Sequence, residues 1–462
     1  MQSIITVNFF ALVIFILNVL FLFGEAEASL SLAIVSFITF SLFMLYLLLR
    51  WPMFFFIILF FSFSQYTSII SNIYLESGAY ALEVRMETYA TGATLRLVTI
   101  DFIFILIAFY IFILFDYFFN AYKNTYNEYR SLLQMERVIF SFILAITMVM
   151  LINGVLHPFP LLSHMQRFAY WDSIPFGNWL SKLLYFLSYT SVVLAFYLEK
   201  YRSNRRIRRS ISYLSLFLVM LAILYANKFS WLSNFFMMWL LGYSAAKYLY
   251  GRKIPITSIL KKVLILLPFL LALVVFSYSF IHGYSGSDLK EMLIARIFAL
   301  QGQMWWAIDH EVLSTSMLGS FQDIYTKYQD RPSGIFMLME QVAPNSVFEN
   351  FYERKIPFTM AYPAITLYSL GYLGAMFSQI LFASYWMFIV LSLIIALYKA
   401  NPIALLLSIF LFAAMLWAML LGSTYVLFTS LNLTILALLL LTHVYIFSTS
   451  LIFDPKSESP RC

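Results

Sequence analysis

The sequence predicts an all-α, polytopic integral membrane protein with one large extracytoplasmic loop. Hydrophobic residues make up 62% of the chain and charged residues only 11%, which is far from the average of soluble domains. The apolar residues form runs such as Phe9–Phe23, Ser29–Leu49 and Val263–Ile281, and most runs reach the roughly 20 residues that a membrane helix needs. These runs lack the period-two alternation of a membrane β-barrel, and a backbone in lipid must otherwise be helical.

The apolar runs place about twelve transmembrane helices along the chain. Their approximate ranges are 5–23, 29–49, 53–73, 97–119, 138–156, 180–198, 211–227, 230–248, 263–282, 366–397, 402–421 and 425–447. The range 366–397 is too long for an upright span and contains Gly371 and Gly374, so we expect it to tilt or to begin as an outward half-helix. Residues 1–448 are thus predicted to form a single polytopic membrane domain, followed by a cytoplasmic tail at 449–462.

The distribution of Lys and Arg predicts the orientation of these helices. Basic residues are concentrated between Lys200 and Arg209 and again between Arg252 and Lys262, which assigns both loops to the cytoplasm. An even number of spans then leaves the N- and C-termini on the cytoplasmic side. The net charge of +7 is explained by loops that face anionic lipid headgroups, so we expect membrane lipid as a partner and no nucleic acid.

Three outward loops are long enough to carry chemistry: 74–96, the medium loop 157–179 and the large, partly helical loop 283–365, which lies between helices nine and ten. Arg167 and Arg296 are embedded in aromatic and apolar sequence, where an arginine usually has an anionic partner or ligand. Arg331 is a third candidate. For Arg85, Arg354 and Lys355, which lie in polar surroundings, ordinary solvated charge is the preferred interpretation.

The stretch from Asp288 to Leu313 is predicted to be one helix, because Asp288 and Glu291 resemble a capping box and no proline follows. Arg296, Gln303 and His310 are spaced seven apart and would share a face of that helix. With the nearby Trp306, this face combines a cation, an amide, a stacking surface and a titratable group, as a sugar-phosphate site requires. The alternative is an interfacial helix with a few polar residues.

The chemistry that these residues predict is independent of metals. The sequence contains no His-Glu-x-x-His motif and no paired-aspartate motif. The single cysteine, Cys462, excludes a metal site built from cysteines. We therefore expect no metal and no other cofactor. Arginines would instead bind a pyrophosphate bidentately and stabilise the charge that develops as it leaves.

Three short segments carry a family resemblance. They are Gln166–Tyr170 in the medium loop, Arg296–Gln303 in the large loop, and Ala361–Pro363 leading to Leu370–Gly374. Together with the dozen helices and two arginine-rich outward loops, these segments resemble the O-antigen polymerase (Wzy-type) family, within the wider group that includes O-antigen ligases.

The resemblance implies a glycosyltransferase-type enzyme of lipopolysaccharide biosynthesis at the outer face of a bacterial inner membrane. Its substrate would be an undecaprenyl-pyrophosphate-linked oligosaccharide, and a chain-length regulator is an expected partner. The candidate pyrophosphate- and sugar-binding residues are Arg167, Tyr170, Arg296, Gln303, Trp306 and Arg331. His310 and Arg296 are the candidate catalytic residues, with His310 as a base or a hydrogen-bond partner for the acceptor hydroxyl.

Three alternatives remain open from the sequence. A lipid-linked oligosaccharide flippase would need similar helices, but its charges should lie deep within the spans. Asp101 and Asp116 are the main candidates inside the spans, and both lie near helix ends, so the sequence favours the enzyme. An O-antigen ligase would share the topology and the arginines. A non-catalytic membrane subunit would give no reason for a face of Arg, Gln and His.

Overall fold

The structure is a computed structural model that describes residues 2–22, 27–125, 132–163, 165, 167–225, 229–282, 286–315 and 318–452. The described chain is overwhelmingly helical, as predicted. The first eleven helices are α1 Gln2–Leu22, α2 Leu30–Arg50, α3 Pro52–Ile57, α4 Leu59–Glu76, α5 Ala93–Thr125, α6 Leu132–Leu156, α7 Arg167–Ser173, α8 Gly177–Tyr189, α9 Ser191–Lys200, α10 Arg205–Leu224 and α11 Phe229–Leu249. Two strands of two residues each, β1 Tyr80–Ala81 and β2 Met86–Glu87, pair antiparallel between α4 and α5.

The second part of the chain contains nine further helices among the described residues. They are α12 Ile256–His282, α13 Gly286–Ile294, α14 Gln303–Thr315, α15 Gln322–Tyr325, α16 Ile335–Val342, α17 Asn345–Glu353, α18 Ala364–Lys399, α19 Pro402–Leu421 and α20 Ser430–Ile452. A π-helical segment at Ala295–Ala299 follows α13, and a 3-10 segment at Thr424–Phe428 precedes α20. Most of the predicted tail, 453–462, lies outside the described residues.

Within the part of the chain that the structure describes, seven helical segments are long and apolar enough to cross a membrane, which agrees with a membrane-embedded protein. They are Leu30–Arg50, Ala93–Phe119, Glu136–Leu156, Gly177–Lys200, Arg205–Leu224, Ala364–Lys399 and Pro402–Leu421. Two shorter apolar helices, Ile5–Phe21 and Ser430–Val444, correspond to the first and last predicted spans. The other three predicted spans fall on α3 with α4, on α11 and on α12, so the total of twelve stays a prediction.

Several predicted spans are interrupted. The range 53–73 divides at Ile58, and 180–198 divides at Thr190 between α8 and α9. In α18, Gly371 has φ 64° and ψ −174°, a conformation that glycine adopts without the clash that a Cβ would cause. This break separates a short first segment from the long remainder of α18, as expected for a span that begins as a half-helix; its outward orientation stays a prediction.

Close helix packing forms the core of the bundle. α11 packs along α9, and α18 packs between α5 and α19. At Gly242 of α11, an added Cβ would lie 2.1 Å from the carbonyl oxygen of Val192, so only glycine allows these two helices to approach so closely. Between α4 and α5, the rings of Phe61 and Phe104 stack with centroids 3.8 Å apart.

The prediction of one continuous helix from Asp288 to Leu313 is wrong. Regular helix ends at Ile294, the π-helical segment follows, and α14 starts only at Gln303. The break occurs where Gly302 packs onto α4, since an added Cβ there would lie 2.7 Å from the Ser68 carbonyl oxygen. Ser71 of α4 supplies the hydrogen bonds that the backbone loses at this interruption. Its hydroxyl donates to the Ala299 carbonyl (2.7 Å) and accepts from the Gly302 amide (2.8 Å).

Candidate functional site

The candidate site is formed by α14 and by the loop between α4 and α5. Glu76, buried at the end of α4, shapes this loop: its carboxylate accepts the amides of Thr91 (3.1 Å), Gly92 (2.6 Å) and Thr94 (3.3 Å). Because these amides open α5, the carboxylate also lies at the positive end of that helix. The loop is thereby fixed against the start of α5, and Tyr89 and Glu83 are held near α14.

A buried ion pair joins this region to the rest of the bundle. The prediction placed Arg96 in the first outward loop, whereas the structure places it in the first turn of α5, with its guanidinium on Asp309 of α14. Nε donates to Oδ1 at 2.8 Å and Nη2 to Oδ2 at 2.5 Å, and Tyr372 of α18 donates to Oδ1 at 2.6 Å. Arg96 also donates to the Thr91 carbonyl at 2.9 Å, so both charges are compensated.

His310 follows Asp309 on α14, so its side chain points about 100° away from that pair, and two aromatic rings hold it. Its imidazole stacks on the buried Trp306 at 5.5 Å between centroids, and its Nε2 hydrogen-bonds the Tyr89 hydroxyl at 2.8 Å. Trp306 is fixed in turn, because its indole N–H donates to the Tyr89 carbonyl at 3.3 Å. The Nδ1 of His310 has no hydrogen-bond partner among the residues that the structure describes, and it lies 3.9 Å from a Glu311 carboxylate oxygen.

Glu83 is the titratable residue beside Gln303 that the sequence prediction missed. Gln303, which is fully buried, donates its amide to the Glu83 carboxylate and accepts the Glu83 backbone amide at 3.3 Å. Burial raises the pKa of Glu83 to about 7, against the opposing effects of the Arg296 charge and the Gln303 hydrogen bond. The sequence signal was weak: a single acidic residue inside the apolar stretch Ala79–Val84 of the loop.

Arg296 lies on the π-helical segment, exposed to solvent, and it acts electrostatically on Glu83. Short π-helical segments occur frequently at functional sites. Of the predicted site residues, Arg296 and Gln303 are therefore connected through Glu83, while Trp306 and His310 follow on the next turns of α14. Arg296, Gln303 and His310 were predicted to share one face of a single helix. They do not, because the regular α-helix is interrupted between Arg296 and Gln303.

Arg167 and Tyr170 form a different cluster on α7. Arg167 donates to the Tyr185 hydroxyl of α8 at 3.0 Å. Tyr170 is only 2% exposed; its hydroxyl donates to the His157 carbonyl at 3.2 Å, and its ring packs on Trp171. The Tyr170 ring is therefore part of the core and offers little open surface for a sugar. Gln166, the first residue of the resembling segment, lies outside the described residues.

Arg331 belongs to a third cluster, which precedes α16. Its guanidinium donates to the buried Asp323 at 2.8 Å and stacks 3.7 Å from the centroid of the Tyr328 ring, while half of the side chain remains exposed. The Tyr328 hydroxyl also donates to Asp323, at 2.7 Å. The segment is anchored to α18, whose Tyr368 carbonyl accepts the Gly319 amide at 2.9 Å.

Comparisons with known proteins add one partial match. Residues 328–436 match a family of unknown function, DUF6418. The match starts at Tyr328, beside Arg331, and extends into α20. No curated protein and no solved structure matches the chain.

The clusters together define what this region can do chemically. It offers the Glu83 carboxyl group with a pKa of about 7, the exposed guanidinium of Arg296, whose charge acts on that carboxyl, and the partly exposed imidazole of His310, whose Nε2 is hydrogen-bonded. Such groups can accept a proton from a hydroxyl and neutralise an anionic leaving group. Within the described ranges, no three His, Cys, Asp or Glu side chains are grouped closely enough to hold a metal ion.

Proposed function

We propose that this chain is an oligosaccharide repeat-unit polymerase that transfers a growing glycan from undecaprenyl pyrophosphate to the terminal sugar of a lipid-linked repeat unit. In this proposal the chain crosses a bacterial inner membrane twelve times, with both termini in the cytoplasm and the large loop 283–365 outside. It would work without a metal ion. The observation that carries the proposal is the hydrogen-bonded pair of Glu83 and Gln303, on which the charge of Arg296 acts electrostatically, because it combines a base with a nearby cation.

The proposed reaction breaks the bond between the anomeric carbon of the donor sugar and the pyrophosphate oxygen, which keeps the bonding electrons. The acceptor hydroxyl oxygen forms the new bond to that carbon and gives its proton to a base. Glu83 is available for this role because its pKa of about 7 leaves it partly deprotonated at neutral pH. His310 then acts as a hydrogen-bond partner, since its Nε2 is already engaged by Tyr89.

The arginines stabilise the departing pyrophosphate in this scheme. Arg296 is the first candidate, because it is exposed beside Glu83 and its guanidinium can hold two phosphate oxygens at once. Arg331 keeps half of its side chain exposed despite its ion pair and can contribute a second charge. Arg167 retains its role only if its contact with Tyr185 leaves donors for the ligand.

Gene deletion in the host, followed by gel analysis of the lipopolysaccharide, is the first test. Loss of the long ladder with a single repeat unit still on the core would support a polymerase. Loss of all repeat units would point to a flippase or a ligase, and an unchanged ladder would reject the pathway. Complementation with Arg296→Ala should leave the short form only, whereas the exposed control Arg354→Ala should restore the ladder.

One observation favours a second candidate, the flippase. Asp101 of α5 is fully buried within a candidate span, and neither carboxylate oxygen has a hydrogen-bond partner among the described residues. Ionisable groups inside a membrane are usually functional. If Asp101→Asn abolishes all repeat units while Arg296→Ala leaves the ladder intact, the transporter is the better assignment.

A further inference from the structure

A groove lined by basic residues lies at the start of α10, away from the candidate site. Its lining residues are Arg205, Arg208, Arg209, Ser212 and Tyr213. They are spaced three and four residues apart and therefore share one face of the helix. The three arginines are exposed to solvent, so their guanidinium groups are free to meet a ligand that approaches along this face.

The charge of this groove is not neutralised within the described part of the chain. Three other cations at the same end of the bundle do have acidic partners. Lys200 lies 2.6 Å from Glu136, while Lys247 and Arg252 lie 2.9 and 2.7 Å from Glu199. None of the ion pairs among the described residues includes an arginine of the groove. An external anion is therefore the natural counter-charge.

The same face of α10 becomes apolar one turn further along. Leu216 is 59% exposed and Met220 55% exposed, and they continue the line that starts at Arg209 and Tyr213. Of the seven candidate spans, α10 is the least buried, with only 28% of its most apolar part buried inside the protein. An exposed apolar surface of this kind on a membrane helix faces acyl chains, with the arginines at the level of the headgroups.

We propose that this groove is a binding site for an anionic phospholipid, with the phosphate on the three arginines and an acyl chain along Leu216 and Met220. The continuity of charged and apolar surface favours a lipid over a free phosphate, because a small anion would not use the apolar part. Tyr213 lies at the junction, where an aromatic ring with a polar end suits the membrane interface. The proposal does not depend on the polymerase activity.

The test measures binding of a dansyl-labelled phosphatidylglycerol to the purified full-length chain in zwitterionic detergent, by energy transfer from tryptophan. Arg208→Gln with Arg209→Gln should weaken binding on the order of 30-fold, since each arginine near the headgroups contributes about 1 kcal/mol. The matched control, Arg202→Gln with Arg206→Gln, removes the same charge from outside the groove and should change binding less than about threefold. If circular dichroism shows that the groove variant misfolds, Arg208→Gln alone is compared with Arg206→Gln.

Three outcomes would overturn the proposal. An equal loss in both double variants would mean that only net charge matters. Equal binding of a dansyl-labelled phosphatidylcholine would remove the need for an anionic headgroup. Competition by inorganic phosphate at the concentration of the lipid would identify a small-anion site. Selective loss in the groove variant, with preference for phosphatidylglycerol and weak competition by phosphate, would establish the lipid site.

Discussion

At the scale of single residues, Glu83 determines how the candidate site should respond to pH. Its carboxyl group loses solvent on burial, and this loss outweighs the favourable charge of Arg296 and the hydrogen bond from Gln303, which leaves the pKa at about 7. A base must be deprotonated to accept a proton. If Glu83 is the base, polymerisation should therefore decline as pH falls through about 7, where a carboxyl with an ordinary pKa would show no change.

The variant Gln303→Leu should shift the pH dependence of polymerisation to higher pH. The hydrogen bond from Gln303 stabilises the carboxylate, so its removal raises the pKa of Glu83 further. The acidic limb of the pH profile of ladder formation in membrane vesicles should then shift above about pH 7. Gln341→Leu, at an exposed position of α16, is the control and should leave the profile where it is. An identical profile in all three proteins would show that Glu83 is not the titrating group.

The raised pKa of Glu83 also makes the stability of the folded protein depend on pH. Stability falls as pH rises, whereas the proposed activity increases. Because the folded state binds the proton of Glu83 more tightly than the unfolded chain does, this residue contributes stability below about pH 4.5 that is lost as pH rises to about 7. If Glu83 is the base, the protein is therefore less stable when Glu83 is in its active, ionised form, which is common where function requires a perturbed pKa.

At the scale of helices, the ion pair between Arg96 and Asp309 holds three of them together. Arg96 lies on α5, Asp309 on α14, and Tyr372, which donates to the same carboxylate, on α18. The two charged side chains are 10% and 0% exposed, so water cannot replace a lost partner. The pair therefore positions α14, and with it His310 and Gln303, relative to the membrane helices.

Asp309→Asn should destabilise the protein by about 3–5 kcal/mol, because it leaves the buried Arg96 charge without compensation. Thermal unfolding of the detergent-solubilised protein measures this loss. The double variant Arg96→Leu with Asp309→Leu should recover most of it, since two apolar side chains leave no buried charge. Asp288→Asn, at an exposed position of α13, serves as the control. A double variant as unstable as Asp309→Asn would show that packing, and not charge, is what the pair provides.

The sequence predicts helices that depend on a local pattern of apolar residues. It does not predict contacts between residues that are far apart in the chain. Long apolar runs predicted α2 and α19 to within one residue, and α5 and α6 to within six, because length and hydropathy alone determine a membrane helix. The break before α14 could not be predicted, since it depends on Gly302 meeting Ser68 and Ser71 of a helix more than two hundred residues away in sequence. For the same reason, the seven-residue spacing of Arg296, Gln303 and His310 predicted a common face that the chain does not form.

The site itself was predictable only in part. Gln303, Trp306 and His310 were identified from residue type and spacing, and they do lie together on α14. Glu83 and the pairing of Arg96 with Asp309 are long-range contacts, and no local pattern marks them. Tyr170 illustrates the converse: its aromatic type suggested a sugar platform, but its burial is decided by packing against Trp171 and Tyr225.

At the scale of the whole molecule, the proposed topology places the candidate site and the arginine groove of α10 on opposite sides of the membrane. Lys355, beyond α17, belongs to the predicted outer loop, whereas Ser210 of α10 lies at the predicted cytoplasmic end; both are exposed. Cys462 is the only cysteine in the sequence, so Cys462→Ser gives a background in which a single new thiol reports its side of the membrane.

In that background, Lys355→Cys should react with a membrane-impermeant maleimide in spheroplasts, and Ser210→Cys should react only after the membrane is permeabilised. The expectation follows from the excess of Lys and Arg around Ser210, which retains that loop in the cytoplasm. Denaturation before labelling provides the control for thiol reactivity in both variants. Labelling of both positions from the same side would contradict the odd number of spans proposed between them. Labelling with the sides exchanged would invert the topology and remove Glu83, Arg296 and His310 from the face where a lipid-linked glycan would be polymerised.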